Sequence, residues 1–298
     1  MTTFLQLTFS GLALGVIYAL IALGFVVIYR ASQVFNFAHG DLLALGAYLM
    51  VSACAAGLPW PLALLAALFL TGAAAAGIER AFLRPLVGRP VFVTIIVTIF
   101  AGLLLRFCVQ LIWGTEARGM PTPWAPDAGV SLGGASVLYN AVAALLLGAA
   151  ALALFVLLLR RSRAGVAMRA CAQDQEAALA LGLPVGRILM LTWGIAGAFA
   201  ALGGICLAMF PRHVEPNLAL IALAAFPAVL VGGLESMLGA VIAGLLLGVL
   251  QVWAQAYVNP LLGSFGHNFH SVFPYVVMIL FLMARPEGLF GLQRIKRV

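Results

Sequence analysis

Long, nearly uncharged apolar runs constrain this chain more than any other feature. Nine of them stand out, at residues 8–29, 39–57, 60–80, 91–113, 138–159, 188–210, 217–233, 236–257 and 271–284. A helix needs about 20 apolar residues to cross a bilayer. The first, fourth, fifth, sixth and eighth runs are long and clear. The seventh and ninth are short, which leaves eight spans plus a re-entrant piece as an alternative to nine. Charged residues make up 8% of the chain and hydrophobic ones 64%, with a mean hydropathy of +1.15. Soluble domains carry about 25% charged residues. A β-barrel fits poorly, because its strands alternate with period two in units of about ten residues. The sequence therefore predicts an all-α, polytopic transmembrane helical bundle with 8–9 spans. Residues 1–298 are expected to form a single membrane domain with no soluble domain attached.

The basic residues set an orientation. Cytoplasmic loops collect Lys and Arg. Arg30, Arg80, Arg84 and Arg89, then Arg160, Arg161, Arg163, Arg169 and Arg187, and finally Arg285, Arg294, Lys296 and Arg297 all fall on one side of a nine-span path. Arg118 and Arg212 fall on the other side, and Arg106 lies within a span. The expectation is an N-terminus outside and a C-terminus in the cytoplasm. The net charge of +7 then reflects topology and anionic lipid heads, so no nucleic acid partner is needed. The opening residues lack the basic stretch of a cleaved signal peptide, and the first span is expected to remain as an anchor.

Several chemistries lack their residues. Lys296 is the one lysine, and no GxxxxGK[ST], GxSxG or HExxH occurs. The cysteines, at 54, 108, 171 and 206, are scattered and read as small apolar side chains. His267 and His270 are spaced HxxH in a polar loop and read as a surface pair, so neither metal nor cofactor is expected. The nine acids, Asp41, Glu79, Glu116, Asp127, Asp174, Glu176, Glu215, Glu235 and Glu287, map to loops or span ends. That argues against the buried carboxylate relay of a self-contained secondary transporter or channel. What remains is transport or scaffolding without catalysis.

The longest polar break, residues 160–187, carries five arginines and the punctuation of a short helix. Asp174 serves as N-cap, Gln175 to Leu181 as two turns, Gly182 as the stop and Pro184 as the block beyond. Two turns are about 10 Å long. Ala177, Ala178 and Ala180 keep the helix slim, Leu179 and Leu181 offer apolar knobs, and Asp174 and Glu176 suit the positive end of its dipole. On these residues alone, a linker helix and a docking helix are equally good readings. Asn36, His39 and Asp41 form a second polar stretch at the start of a span, as a helix cap by Asn36 or Asp41 or as a gate. Arg106 reads first as snorkelling or structurally paired, and otherwise as a carboxylate contact along a path. Gly232 and Gly233 break an apolar run, either as a tight turn or as a break lining a path. Tyr18, Thr94, Thr98, Gln110, Thr192, Gln251 and Gln255 line a path or bond between helices. Small-xxx-small patterns at Gly11/Gly15 and Gly244/Gly248 allow close helix contact.

Extended stretches resemble one family. GLALGVIYALIALGFVVIYR at 11–30, NFAHGDLLALGAYL at 36–49 and ERAFLRPLVG at 79–88 are similar to LivH-type permeases, the membrane subunits of ABC importers for branched-chain amino acids. So are RACAQDQEAALALGLPVGRI at 169–188, AFPAVLVGGLESMLGAVIAGLLLGVL at 225–250 and ARPEGLFG at 284–291. NFAHG and the closing RPxGLFG are the specific elements. The sister permeases of such importers usually differ near the NFAHG position, which puts this chain on the LivH side.

The resemblance implies an ABC importer permease fold in a bacterial inner membrane, with a branched-chain or hydrophobic amino acid as cargo. Similar permeases import urea, short amides or carboxylic acids. The implied partners are a sister permease, two ATP-binding cassette subunits that spend the ATP, and a periplasmic substrate-binding protein. Glu176-Ala177-Ala178 followed by Gly182 matches the pattern of a coupling helix. It would place Asp174, Glu176, Ala177, Ala178, Leu179 and Gly182 at the ATPase interface.

Overall fold

The computed structural model describes residues 2–125, 128–132, 135–210, 213–263 and 268–291. Asp127, Arg212, His267, Arg294, Lys296 and Arg297 lie outside the described residues.

Every predicted apolar run is helical. They form α1 (Thr2–Ser32), α2 (His39–Ala55), α3 (Trp60–Ile78), α4 (Val91–Trp113), α5 (Tyr139–Arg161), α8 (Val185–Met209), α11 (Met237–Trp253) and α13 (Phe269–Ala284). The run at 217–233 is made of pieces: α9 (Leu218–Ile221), a 3-10 turn (Ala222–Ala225) and α10 (Phe226–Gly232). Two further helices, α6 (Arg163–Gln173) and α7 (Gln175–Ala180), fill the polar break, and α12 (Asn259–Leu261) extends α11 through a π turn. A small antiparallel ribbon, β1 (Gly129–Leu132) with β2 (Ala135–Leu138), joins α4 to α5.

Local chemistry sets the boundaries. Prolines pre-shape the starts of α3 and α4, at Pro59, Pro61 and Pro90. Gly114, at φ +79°, ends α4 in a conformation that favours glycine. The Ser236 hydroxyl accepts from the Gly239 N–H at 3.0 Å and caps α11.

Helix α1 is the axis of the bundle. Its apolar window is 94% buried, whereas those of α4 and α5 are 22% and 17% buried. α1 packs antiparallel on α11 through its glycines. A methyl group at Gly11 would come within 2.7 Å of Val249 Cα, and one at Gly15 within 2.8 Å of Leu245 Cα. Gly244 and Gly248 answer from the other helix, against Ala19 and Gly15. Apolar burial gives little drive in lipid, so contact this close supplies dispersion in its place.

Among the described basic residues, Arg30, Arg84, Arg89 and Arg169 share one end of the bundle. Arg84 donates to the Gly186 carbonyl, Gln175 to the Ala31 carbonyl, and Arg30 and Glu235 border one cleft with Cys171. The opposite end carries Trp113 on Ser52, Trp60 on the Pro121 carbonyl and Trp124 on Asn140.

Two of the shorter legs start partway along their neighbours. Asp41, in the first turn of α2, lies against Gly102, about 16 Å along α4 from Val91 by helix rise. Ser52, at the far end of α2, reaches Trp113. Helix α2 therefore begins beside the middle of α4, and residues 33–38 climb to it without helical structure. The broken leg 218–232 begins at the same height, since Gly40 abuts the Ala219 carbonyl.

Filling the α1–α11 contact tests this packing. Gly248→Val should lower thermal stability of the purified protein by about 1–3 kcal/mol. Gly77→Ala, where nothing lies within 4 Å of an added methyl, should leave it unchanged or raise it.

Candidate coupling surface and solute path

The polar break folds as a corner of two capped helices. The Ser162 hydroxyl accepts from the Gly165 N–H at 2.9 Å and opens α6. Asp174 Oδ1 accepts from the Glu176 and Ala177 N–H groups, both at 2.9 Å, and opens α7. Gly182 takes φ +80°. The Gly182 N–H then bonds the Leu179 carbonyl at 2.9 Å and the Leu183 N–H the Ala178 carbonyl at 3.0 Å, which closes the helix end.

This corner is held on one side and open on the other. Met168, Cys171 and Ala178 are buried, and burial pushes the Cys171 thiol up. Gln175 Nε2 donates to the Ala31 carbonyl in the last turn of α1. Leu179 and Leu181 are 59% and 81% exposed, and Glu176 is exposed beside them. A short helix tied to the central helix of the bundle, with two leucines facing out, is suited to carry force from a docked partner. The sequence reading missed α6. Its signal was present, in the three-residue spacing of Gly165, Met168 and Cys171, but five arginines masked it.

The second polar cluster surrounds the start of α2. Gln33 takes φ +55°, the one described non-glycine residue with a positive φ. Asn36 Oδ1 accepts from the Ala38 N–H at 3.0 Å, forming a local turn. The Phe37 N–H donates to Thr98 Oγ1 at 3.3 Å, and the Thr98 hydroxyl donates to the Ile95 carbonyl at 2.8 Å. Thr98 thus satisfies irregular backbone at depth, where lipid offers no partner. The His39 ring is fully buried, packed on Phe25 at 4.5 Å between ring centres and pressed on Gly24.

Asp41 does not cap the helix. Its Oδ1 accepts from Arg106 Nε at 2.9 Å, with Asp41 almost wholly buried and the Arg106 side chain 29% exposed. Of the readings of Arg106, structural pairing is the one seen. The position of Asp41 at a span end also misleads, because this end lies at mid-height of the bundle. Beside the pair is a cavity of about 270 Å³, walled by Phe25, Phe35, Phe37 and Phe226 and by Ala219 and Leu223.

The other candidates lie apart from this cavity. Gly232 presses on Gly239 and Ala240 in the turn before α11. Gly233, at φ +98°, receives the segment Glu287–Gly291 at the basic end. Both serve close approach and neither lines the cavity. Tyr18 donates to Gln251 at 2.7 Å and ties α1 to α11. Glu79 pairs with Arg84 at 3.4 Å. Among the described residues, no group of three His, Cys, Asp or Glu could hold a metal ion.

The Asp41–Arg106 pair has a clear energetic signature. Arg106→Gln strands a buried carboxylate and should cost on the order of 2–3 kcal/mol. Asp41→Asn combined with Arg106→Gln should recover most of that loss in a thermal unfolding cycle. Equal losses in the single and double variants would mean the pair is not coupled.

Comparison with known proteins matches this architecture. The family model described as branched-chain amino acid transport system / permease component matches residues 7–282. The high-affinity branched-chain amino acid transport system permease protein LivH of Escherichia coli K12 is 32% identical over 99% of this chain and 98% of its own. The corresponding BraD protein of Pseudomonas aeruginosa is 31% identical over the same shares. A probable LivH of Methanocaldococcus jannaschii is 28% identical over 94% of this chain and 90% of its own. No solved structure matches. The chain thus belongs to the permease component family of branched-chain amino acid transport systems, and it is a membrane transport subunit rather than an enzyme.

Proposed function

We propose that this chain is the permease subunit of an ATP-driven importer for branched-chain or other hydrophobic amino acids. It would form a translocation path with a sister permease, receive cargo from a periplasmic substrate-binding protein, and be driven by two ATP-binding cassette subunits. ATP stays with those partners. The chain would sit in a bacterial inner membrane with its N-terminus outside and its C-terminus in the cytoplasm. The clustering of arginines at one end of the bundle supports that orientation.

The observation that carries the reading is the construction of α7. Its Ala178 face is buried, Gln175 is bonded to α1, and Leu179 and Leu181 point away from the bundle. An apolar pair exposed at the polar, basic end of a membrane protein lacks lipid to cover it and suits a protein groove. Asp174, Glu176, Ala177, Ala178, Leu179 and Gly182 then form the contact with the ATPase. Movement of that helix would pull on the end of α1 and on the irregular segment 33–38. That segment leads to Asn36, His39 and the Arg106 cluster, and this continuity supports a role for them beside the path.

The test is assembly. Changing Glu176 and Leu179 together to lysine and aspartate should abolish co-purification with the ATPase subunits and ATP-coupled leucine uptake. Assembly and uptake at wild-type levels in that variant would refute the docking role.

A further inference from the structure

The cavity beside the Asp41–Arg106 pair has a chemistry more specific than a path. Four phenyl rings, from α1, the 33–38 segment and α10, line it together with Ile99, Leu103 and Leu223, with Phe226 5.8 Å from Phe35 and 6.2 Å from Phe25 between ring centres. Its charged edge holds one cation and one anion, joined by a single contact from Arg106 Nε to Asp41 Oδ1. The two terminal amino groups of Arg106, which carry four of its five N–H donors, have no hydrogen-bond partner among the described residues. Asn36 Nδ2 is a further buried donor without a partner among the described residues, adjacent in sequence to two of the lining rings.

We propose that this cavity is a transient binding site for the zwitterion of an α-amino acid with an apolar side chain. Arg106 takes its carboxylate, Asp41 its ammonium, and the phenyl rings its side chain. The inference rests on the importer reading above and names the residues at which the cargo would pause.

Charge balance favours a zwitterion over other solutes. A buried ion pair opens only if each partner gains an equivalent one, because an uncompensated buried charge is costly. A zwitterion supplies both charges in one molecule and leaves the site neutral. A monocarboxylate would satisfy Arg106 and strand Asp41, and an amine would do the reverse. A neutral amide or urea would leave the pair closed. The guanidinium fork matches a carboxylate geometrically. The cavity lies just below the roughly 300–1,000 Å³ of drug-sized sites, which suits a small solute. Its location, where the starts of two short helices meet beside the middle of α4, is also where transporters place their sites near the membrane midplane.

The experiment measures radiolabelled L-leucine binding to the complete permease–ATPase complex in nanodiscs, without the binding protein. Wild type should show saturable binding, competed by L-isoleucine but not by 4-methylpentanoate or isopentylamine, which each lack one charge. Arg106→Gln should weaken binding roughly tenfold or more. Arg106→Lys, which keeps the charge but loses the fork, should fall between. The double variant Asp41→Asn/Arg106→Gln keeps the site neutral, and its assembly on size exclusion guards against misfolding; it should also lose leucine binding. Wild-type leucine affinity in the double variant would overturn the proposal, as would competition by the single-charge analogues equal to that of isoleucine. Those results would leave the importer reading intact if ATP-coupled leucine uptake persists. A complex that moves no amino acid would fail the importer reading itself.

Discussion

Lipid offers no hydrogen bonds to a polypeptide backbone, and the whole molecule is arranged around that fact. Long apolar runs become helices because each helix satisfies its own N–H and C=O groups. Where the chain leaves helical geometry at depth, protein must replace the missing partners. Thr98 and the Asn36 side chain do this for residues 33–38. That segment can exist only because α1, α4 and the leg 218–232 enclose it. The same enclosure leaves room for a cavity and for a part-buried ion pair at mid-height.

Close helix contact makes the enclosure possible. Gly11 and Gly15 let α1 approach α11 backbone to backbone, Gly24 makes room for His39, and Gly40 brings the starts of two shorter helices together. Each glycine is needed because a single methyl there would collide with a neighbouring backbone or ring. The bundle is thus closely packed around α1, while its basic end carries a short, capped corner that is tied to α1 by Gln175. A partner acting on that corner has a direct line to the axis and to the irregular segment beside the cavity.

Features governed by local chemistry were legible in the sequence. Asp174, Gly182 and Pro184 mark α7 because capping and left-handed geometry act over a few residues. The nine apolar runs follow from composition alone. Features that depend on register between distant segments were not legible. Asp41 and Arg106 are 65 residues apart, and nothing local distinguishes a pairing carboxylate from a capping one. The depth of Asp41 was hidden for the same reason, since a helix start reads as a membrane edge until its neighbour is known. Gly232 and Gly233 carried an ambiguous signal, which packing against Gly239 and the 287–291 segment turned into a structural corner.

In the proposed importer, α7 is the surface through which a partner would drive the bundle. Hydrogen exchange on this chain, alone and assembled with its ATPase subunits, measures that directly. Strong new protection is expected over residues 175–183 on assembly, with strands β1 and β2 unchanged. Unaltered exchange across 175–183 in the assembled complex would contradict this role for α7.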